Sequence, residues 1–178
     1  MRSIIRKLTA AIILWLAAAA PAAAQLAVNR SPVEAPVLGR TIRGVSPTVF
    51  SISSGGGVTR VSGDAIRLST ASVRTPTITI HCGVNRLESL CAFRYIRVRI
   101  TPASGSGAAR ITRLRIGPLQ DGRVVGGSPS EGAAMDFLIA PLGLFSTASF
   151  ELGMDVTLAG GAPSGEHDFD YLVTAQLQ

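Results

Sequence analysis

The sequence predicts an all-β protein, an immunoglobulin-like antiparallel β-sandwich, on three observations. Apolar residues recur with a period of two, as on a strand with one buried face. Turn-forming segments rich in glycine, serine and proline separate these runs at short intervals. Aromatics make up only 5% of the 178 residues, and no stretch sustains the three- and four-residue apolar spacing of a packed helix.

Taken in chain order, the first element is not a strand. The opening MRSIIRKLTAAIILWLAAAAPAAAQ places Arg2, Arg6 and Lys7 before an apolar run from Ala10 to Ala20. Ala22, Ala23 and Ala24 then supply the small side chains a signal peptidase accepts. The pattern predicts a cleaved secretory signal over residues 1–24, cut between Ala24 and Gln25. The run is shorter than the roughly 20 residues a spanning helix needs. No later segment reads as a span, so no transmembrane anchor is expected in the mature chain. The expected location is outside the cytosol of a bacterium: periplasm, cell surface or medium. Residues 25–40, carrying Pro32 and Pro36, read as an extended arm, and 41–178 as one domain.

Within that domain SSGGGVTRVSGDAIRLS supplies a strand and turn. Gly55 to Gly57 form a turn before Val58, since the spacing of a phosphate loop is missing. TPTITIHC is a strand with Ile78, Ile80 and Cys82 inward. FRYIRVRIT and ARITRLRIG flank TPASGSGA and read as a hairpin. Ile96, Val98 and Ile100 face in on one arm, and Leu114 and Ile116 on the other. DFLIAPLGLF is a less regular strand. In FELGMDVTL, Phe150, Leu152, Met154, Val156 and Leu158 form the buried face. FDYLVTAQL closes the chain with Phe169, Tyr171, Val173, Ala175 and Leu177 on one side.

The segment HCGVNRLESLCAF contains the chain's two cysteines, Cys82 and Cys91. Metal clip, nucleophile with a histidine base, and covalent staple are the three readings. A zinc site normally wants four ligands, and only His81 and distant His167 could join two thiolates. Strand alternation sends His81 to the face opposite Cys82. An exported protein with an even cysteine count pairs its thiols, so the reading is a disulfide. Closing a loop of about ten residues stabilises by roughly 2.7 kcal/mol in the chain-entropy description.

Charge is unevenly distributed. Arg30 to Arg123 holds 14 arginines and four acids, whereas Val124 to the end holds seven acids and no cation. If the hairpin forms, Arg97, Arg99, Arg113 and Arg115 crowd one sheet face, where like charges directly opposite cost about 0.2–1 kcal/mol each. Glu151, Asp155 and Asp170 form the candidate acidic counter-surface. They answer the arginines either within one molecule or head-to-tail between copies, the latter favouring chains over closed dimers. An acidic polysaccharide or lipid head groups are the third possible answer. Nucleic acid is not expected, because the arginines lack interleaved aromatics beyond Phe93 and Tyr95. His167, between Glu166 and Asp168, reads as an exposed side chain of an acidic turn. No metal site, no cofactor and no catalytic constellation is expected, so the chain is not read as an enzyme.

SGGGVTR, SFELGMDVTL, the PSGEHD turn and FDYLVTAQL, in that order, resemble the domain of unknown function 4402 family of secreted bacterial proteins. Gly57, Val58 and Thr59 match its early strand. Phe150, Leu152, Gly153 and Val156 match a late one, and Gly165, Phe169, Leu172, Val173 and Thr174 the closing one. The cysteine pair and the terminal Gln178 depart from the pattern. The resemblance implies a pilin-like or coat-like subunit and carries over no catalytic residue. The expected function is therefore an exported, non-enzymatic structural or adhesive subunit of the bacterial cell envelope, pilus- or fimbria-like. It would partner itself or other envelope proteins; QLAVNRSPVEAPVL reads either as a strand donated to a neighbour or, as its two prolines favour, as a disordered leader. The alternative is a monomeric periplasmic or surface module that binds an acidic ligand through the arginine face.

Overall fold

The computed structural model describes residues 25–83, 88–103 and 108–178. The predicted signal segment and its Ala24 lie outside them. The strands form three antiparallel sheets, of six, three and two strands, and the two larger ones enclose the core. The strands are β1 (Val28–Ser31), β2 (Thr41–Ile42), β3 (Thr48–Ile52), β4 (Val58–Ser62), β5 (Ile66–Arg67), β6 (Thr77–His81), β7 (Ile96–Pro102), β8 (Ala109–Ile116), β9 (Met135–Ile139), β10 (Thr147–Leu158) and β11 (Tyr171–Leu177). A short 3-10 turn over Glu88–Ala92 sits between β6 and β7. Among the described residues no helix is long and apolar enough to cross a membrane.

The longest strand, β10, organises the larger sheet. Its first half pairs with β6 and its second half with both β3 and β8. The order runs β1-β6-β10-β3-β4, with β8 also on β10. The face predicted for this strand is the one buried: Phe150, Leu152, Met154, Val156 and Leu158 are all 2% exposed or less. The smaller sheet has the order β11-β7-β9. It presents Ile96, Val98, Ile100, Phe137, Ile139 and Ala175 to the larger one, all buried. Phe137 of one layer meets Phe150 of the other edge-on, with ring centroids 5.9 Å apart, the arrangement aromatic quadrupoles favour.

Two expectations are corrected. First, β7 and β8 do not form a hairpin. β7 pairs with β11 and β9, whereas β8 pairs with β10 in the opposite sheet. Alternation fixed which side chains point inward, but both strands satisfy that rule equally well in separate layers. A bulge at Thr112 keeps β8 in step: Val156 faces Ile111 while Asp155 faces Arg113. The extra residue lets Ile111 and Leu114 both reach the core, although three positions separate them.

Second, residues 25–40 are part of the sandwich. Gln25 bridges Gln176, and the Leu26 N–H donates to the Ala175 carbonyl at 2.9 Å. The chain then crosses to the other layer, where β1 pairs with β6 from Val28↔Ile80 to Ser31↔Thr77. Leu26 and Leu38 are buried. Further on, Val37 bridges Asp168 and Thr41 bridges Gly165. The domain boundary expected at Thr41 therefore divides residues that fold together. Pro32 and Pro36 are accommodated because they fall just after β1 and before the Val37 bridge, where no ladder needs their missing N–H.

Candidate functional site

The segment Thr77–Cys82 alternates cleanly: Ile78, Ile80 and Cys82 point inward and His81 outward. Cys82 and Cys91 are both buried and joined by a disulfide, with Cα atoms 5.7 Å apart. The bridge ties the end of β6 to the 3-10 turn. Backbone bonds seat both cysteines against the loop preceding β10. The Cys82 N–H donates to Ser146 O at 3.0 Å, and the Leu142 N–H to Cys91 O at 2.9 Å. His81 lies on the other face, its Nε2 3.1 Å from Asn29 Nδ2. With the sulfurs bonded to each other, no thiolate is available for metal binding or attack.

The four candidate arginines lie on opposite outer faces of the sandwich, and each pair has acids beside it in the same molecule. On the smaller sheet Arg99 stands directly across from Asp136 of β9. Arg97 grips that carboxylate through Nε (2.8 Å) and Nη2 (2.7 Å), and Arg99 adds contacts of 3.2 and 3.1 Å. The Arg97 hydrogen bond is the main cause that lowers the Asp136 pKa; desolvation opposes it, and the Arg99 hydrogen bond adds a smaller lowering. The same contact raises the pKa of Arg97. All three side chains are roughly half exposed, so water screens the attraction.

On the larger sheet Arg113 and Arg115 meet Asp155, which the β8–β10 register places beside them. Arg115 donates to Asp155 Oδ1 through Nη2 and to Ser51 Oγ through Nη1 at 2.7 Å. Glu131 Oε2 approaches Arg115 Nε at 3.6 Å and Arg113 Nη1 at 3.9 Å. This group is drier than the first: the Asp155 and Arg115 side chains are only 13% and 21% exposed. Asp155 is therefore not an open counter-surface. Asp170 is more exposed and pairs with Arg30 at 3.4 Å, while Arg30 also stacks over the Tyr171 ring at 5.2 Å. Glu151 projects outward, and among the described residues it joins no ion pair.

Asp136 and Glu131 escaped the sequence reading. Asp136 was findable, because MDFLI alternates with Met135, Phe137 and Ile139 inward and leaves Asp136 on the outer face. Glu131 lies in an irregular segment without such a signal. His167 is corrected as well. It is buried at 8% exposure, with Nε2 3.1 Å from the Pro163 carbonyl, because residues 36–41 cover the turn that sequence alone would leave open. Among the described residues no three His, Cys, Asp or Glu side chains converge as metal ligands would.

The chain matches no family model, no curated protein and no solved structure.

Proposed function

We propose that this protein is an exported, non-enzymatic structural or adhesive module of a bacterial cell envelope, related to the domain of unknown function 4402 family. The observation that carries the proposal is the buried Cys82–Cys91 disulfide. Such a bond persists in oxidising compartments and is rare in the cytosol. Gln25, which cleavage after Ala24 would leave as the first residue, already bridges Gln176. A chain cut there starts with a residue engaged in the sheet.

Assembly follows from the same N-terminal segment. Gln25–Ser31 completes the edge of its own sandwich by pairing with β11 and then with β6. The identical pairing offered to the next copy would link subunits by strand exchange, with no new contact needed. Head-to-tail charge pairing is the weaker route, since Asp136, Asp155 and Glu131 answer the arginines within one molecule.

Sedimentation of the envelope-derived protein tests this reading. The full-length mature chain is expected to form multimers. A variant lacking Gln25 to Glu34, shown by circular dichroism to keep its strands, is expected to be monomeric. A mature chain that stays monomeric at every concentration and salt would contradict assembly.

A further inference from the structure

An arginine-lined groove lies elsewhere, where β4 turns into β5. It is an open groove of about 560 Å³, a volume within the range of small-molecule sites. Phe50, Val58 and Ile66 supply apolar walls, and Arg60, Arg67 and Thr70 supply polar ones. Unlike Arg97, Arg99, Arg113 and Arg115, neither of these arginines has a carboxylate partner among the described residues.

Arg67 is fixed in place by three backbone carbonyls. Its Nε donates to Leu38 O at 2.6 Å, Nη1 to Ser69 O at 2.8 Å and Nη2 to Ala71 O at 2.7 Å. A guanidinium has five N–H donors, so one remains on each terminal nitrogen. Arg60 is anchored too, through Nη1 to Ala65 O at 3.2 Å. Partial burial lowers the Arg67 pKa, and no acid opposes that shift. Carbonyl dipoles hold this cation in position without cancelling its charge. Two pre-positioned guanidiniums bind an anion with less ordering cost than free arginines would.

We propose that the groove binds a small amphiphilic anion, its carboxylate or phosphate between Arg60 and Arg67 and its hydrocarbon body against Phe50, Val58 and Ile66. The site does not depend on export or on assembly. Its ligand could be a free organic acid or the head group and first carbons of an anionic lipid, and the two share this chemistry.

Amide chemical shifts of the disulfide-bonded chain provide the test, with octanoate, octyl phosphate, octanol and octylammonium as probes. The two anions are expected to shift Arg60, Ile66 and Thr70 at concentrations where octanol and octylammonium do not. Arg60→Gln should weaken anion binding by about tenfold, the loss of one charge-assisted contact, in a chain that keeps its strands by circular dichroism. Ile66→Asp, at a half-exposed position, should abolish binding by placing a negative charge in the groove. Arg67 is unsuited to substitution because its carbonyl bonds hold the loop. Phosphatidylglycerol vesicles that compete with octanoate would identify a lipid source, and octanoate binding without vesicle binding a free acid; either upholds the site. Equal binding of octanol and octanoate, no shift with either anion, or an Arg60→Gln variant that binds like the parent would overturn it.

Discussion

Asp155 and Asp136 are chemically the same group in two environments, and burial decides what each is worth. Asp155 neutralises Arg115 in a setting where both side chains are mostly out of water. Removing it leaves a mostly buried guanidinium with only the more distant Glu131 as counter-charge, so Asp155→Ala is expected to lower unfolding free energy by about 2–4 kcal/mol. Asp136→Ala breaks more hydrogen bonds but in open solvent, and should cost about 1 kcal/mol or less. Urea titration of both variants checks the order, and equal losses would contradict it. Asp64 makes a pH prediction. Its carboxylate accepts the Ser46 hydroxyl at 2.7 Å and the Val45 and Ser46 N–H groups at 2.9 and 3.0 Å. These bonds, the hydroxyl foremost, lower its pKa from 3.8 to about 2. A depressed folded pKa means the stabilisation is complete above the unfolded value and disappears as pH falls from about 4 towards 2. Carboxyl carbon NMR should show Asp64 titrating near 2, and Asp64→Asn should flatten that acid limb of stability. At this scale the cysteine pairing was legible, because composition and compartment suffice for it. The arginines' partners were not, since they depend on which strands are neighbours.

Strand neighbours are an element-scale property, and here sequence reading reached its limit. Ile96, Val98 and Ile100 on β7 and Leu114 on β8 all point inward as their alternation requires. Alternation says nothing about which sheet a strand joins, and a glycine- and serine-rich connection serves a hairpin and a crossing between layers alike. The N-terminal segment reads as extended, but its partners within the same molecule were hidden for a related reason. Val28–Ser31 is short and alternates weakly, and its pairing is specified by the exposed edges of β6 and β11 rather than by its own side chains. Two substitutions test element packing. A Cβ on Gly153 would sit 2.7 Å from Ser54 N and 2.8 Å from Ile52 O. Both are backbone atoms that cannot rotate away, so Gly153→Ala should cost at least about 1–3 kcal/mol. Thr48 is fully buried, and its Oγ1 accepts the N–H groups of Asp64 and Ala65 at 3.1 and 3.0 Å. Thr48→Val keeps the shape but orphans two donors, and a loss of about 1–3 kcal/mol is expected by urea titration. A neutral result at either position would mean that β10 or the β4–β5 turn is packed differently.

For the whole molecule, two facing sheets enclose one core. The N-terminal segment straddles their edge and the disulfide pins one end. A buried disulfide of this kind persists in oxidising compartments. The fold class and the inward faces of the regularly alternating strands β6, β7 and β10 could be read from the sequence, because burial imposes a period on the chain. Leu26, Leu38 and Ile111 instead reach the core through pairings and a bulge that no period announces. The separation of the arginine pairs onto opposite faces, and the pair Arg60 and Arg67 with no carboxylate partner among the described residues, emerge only once the layers are assembled. Export is the premise on which the proposed envelope role stands. Its most direct test is the intact mass of the protein isolated from its native cells under alkylation without reductant. The expected species begins at Gln25 and carries no alkyl group, with both sulfurs already bonded. A full-length chain beginning at Met1 with two alkylated cysteines would contradict the account.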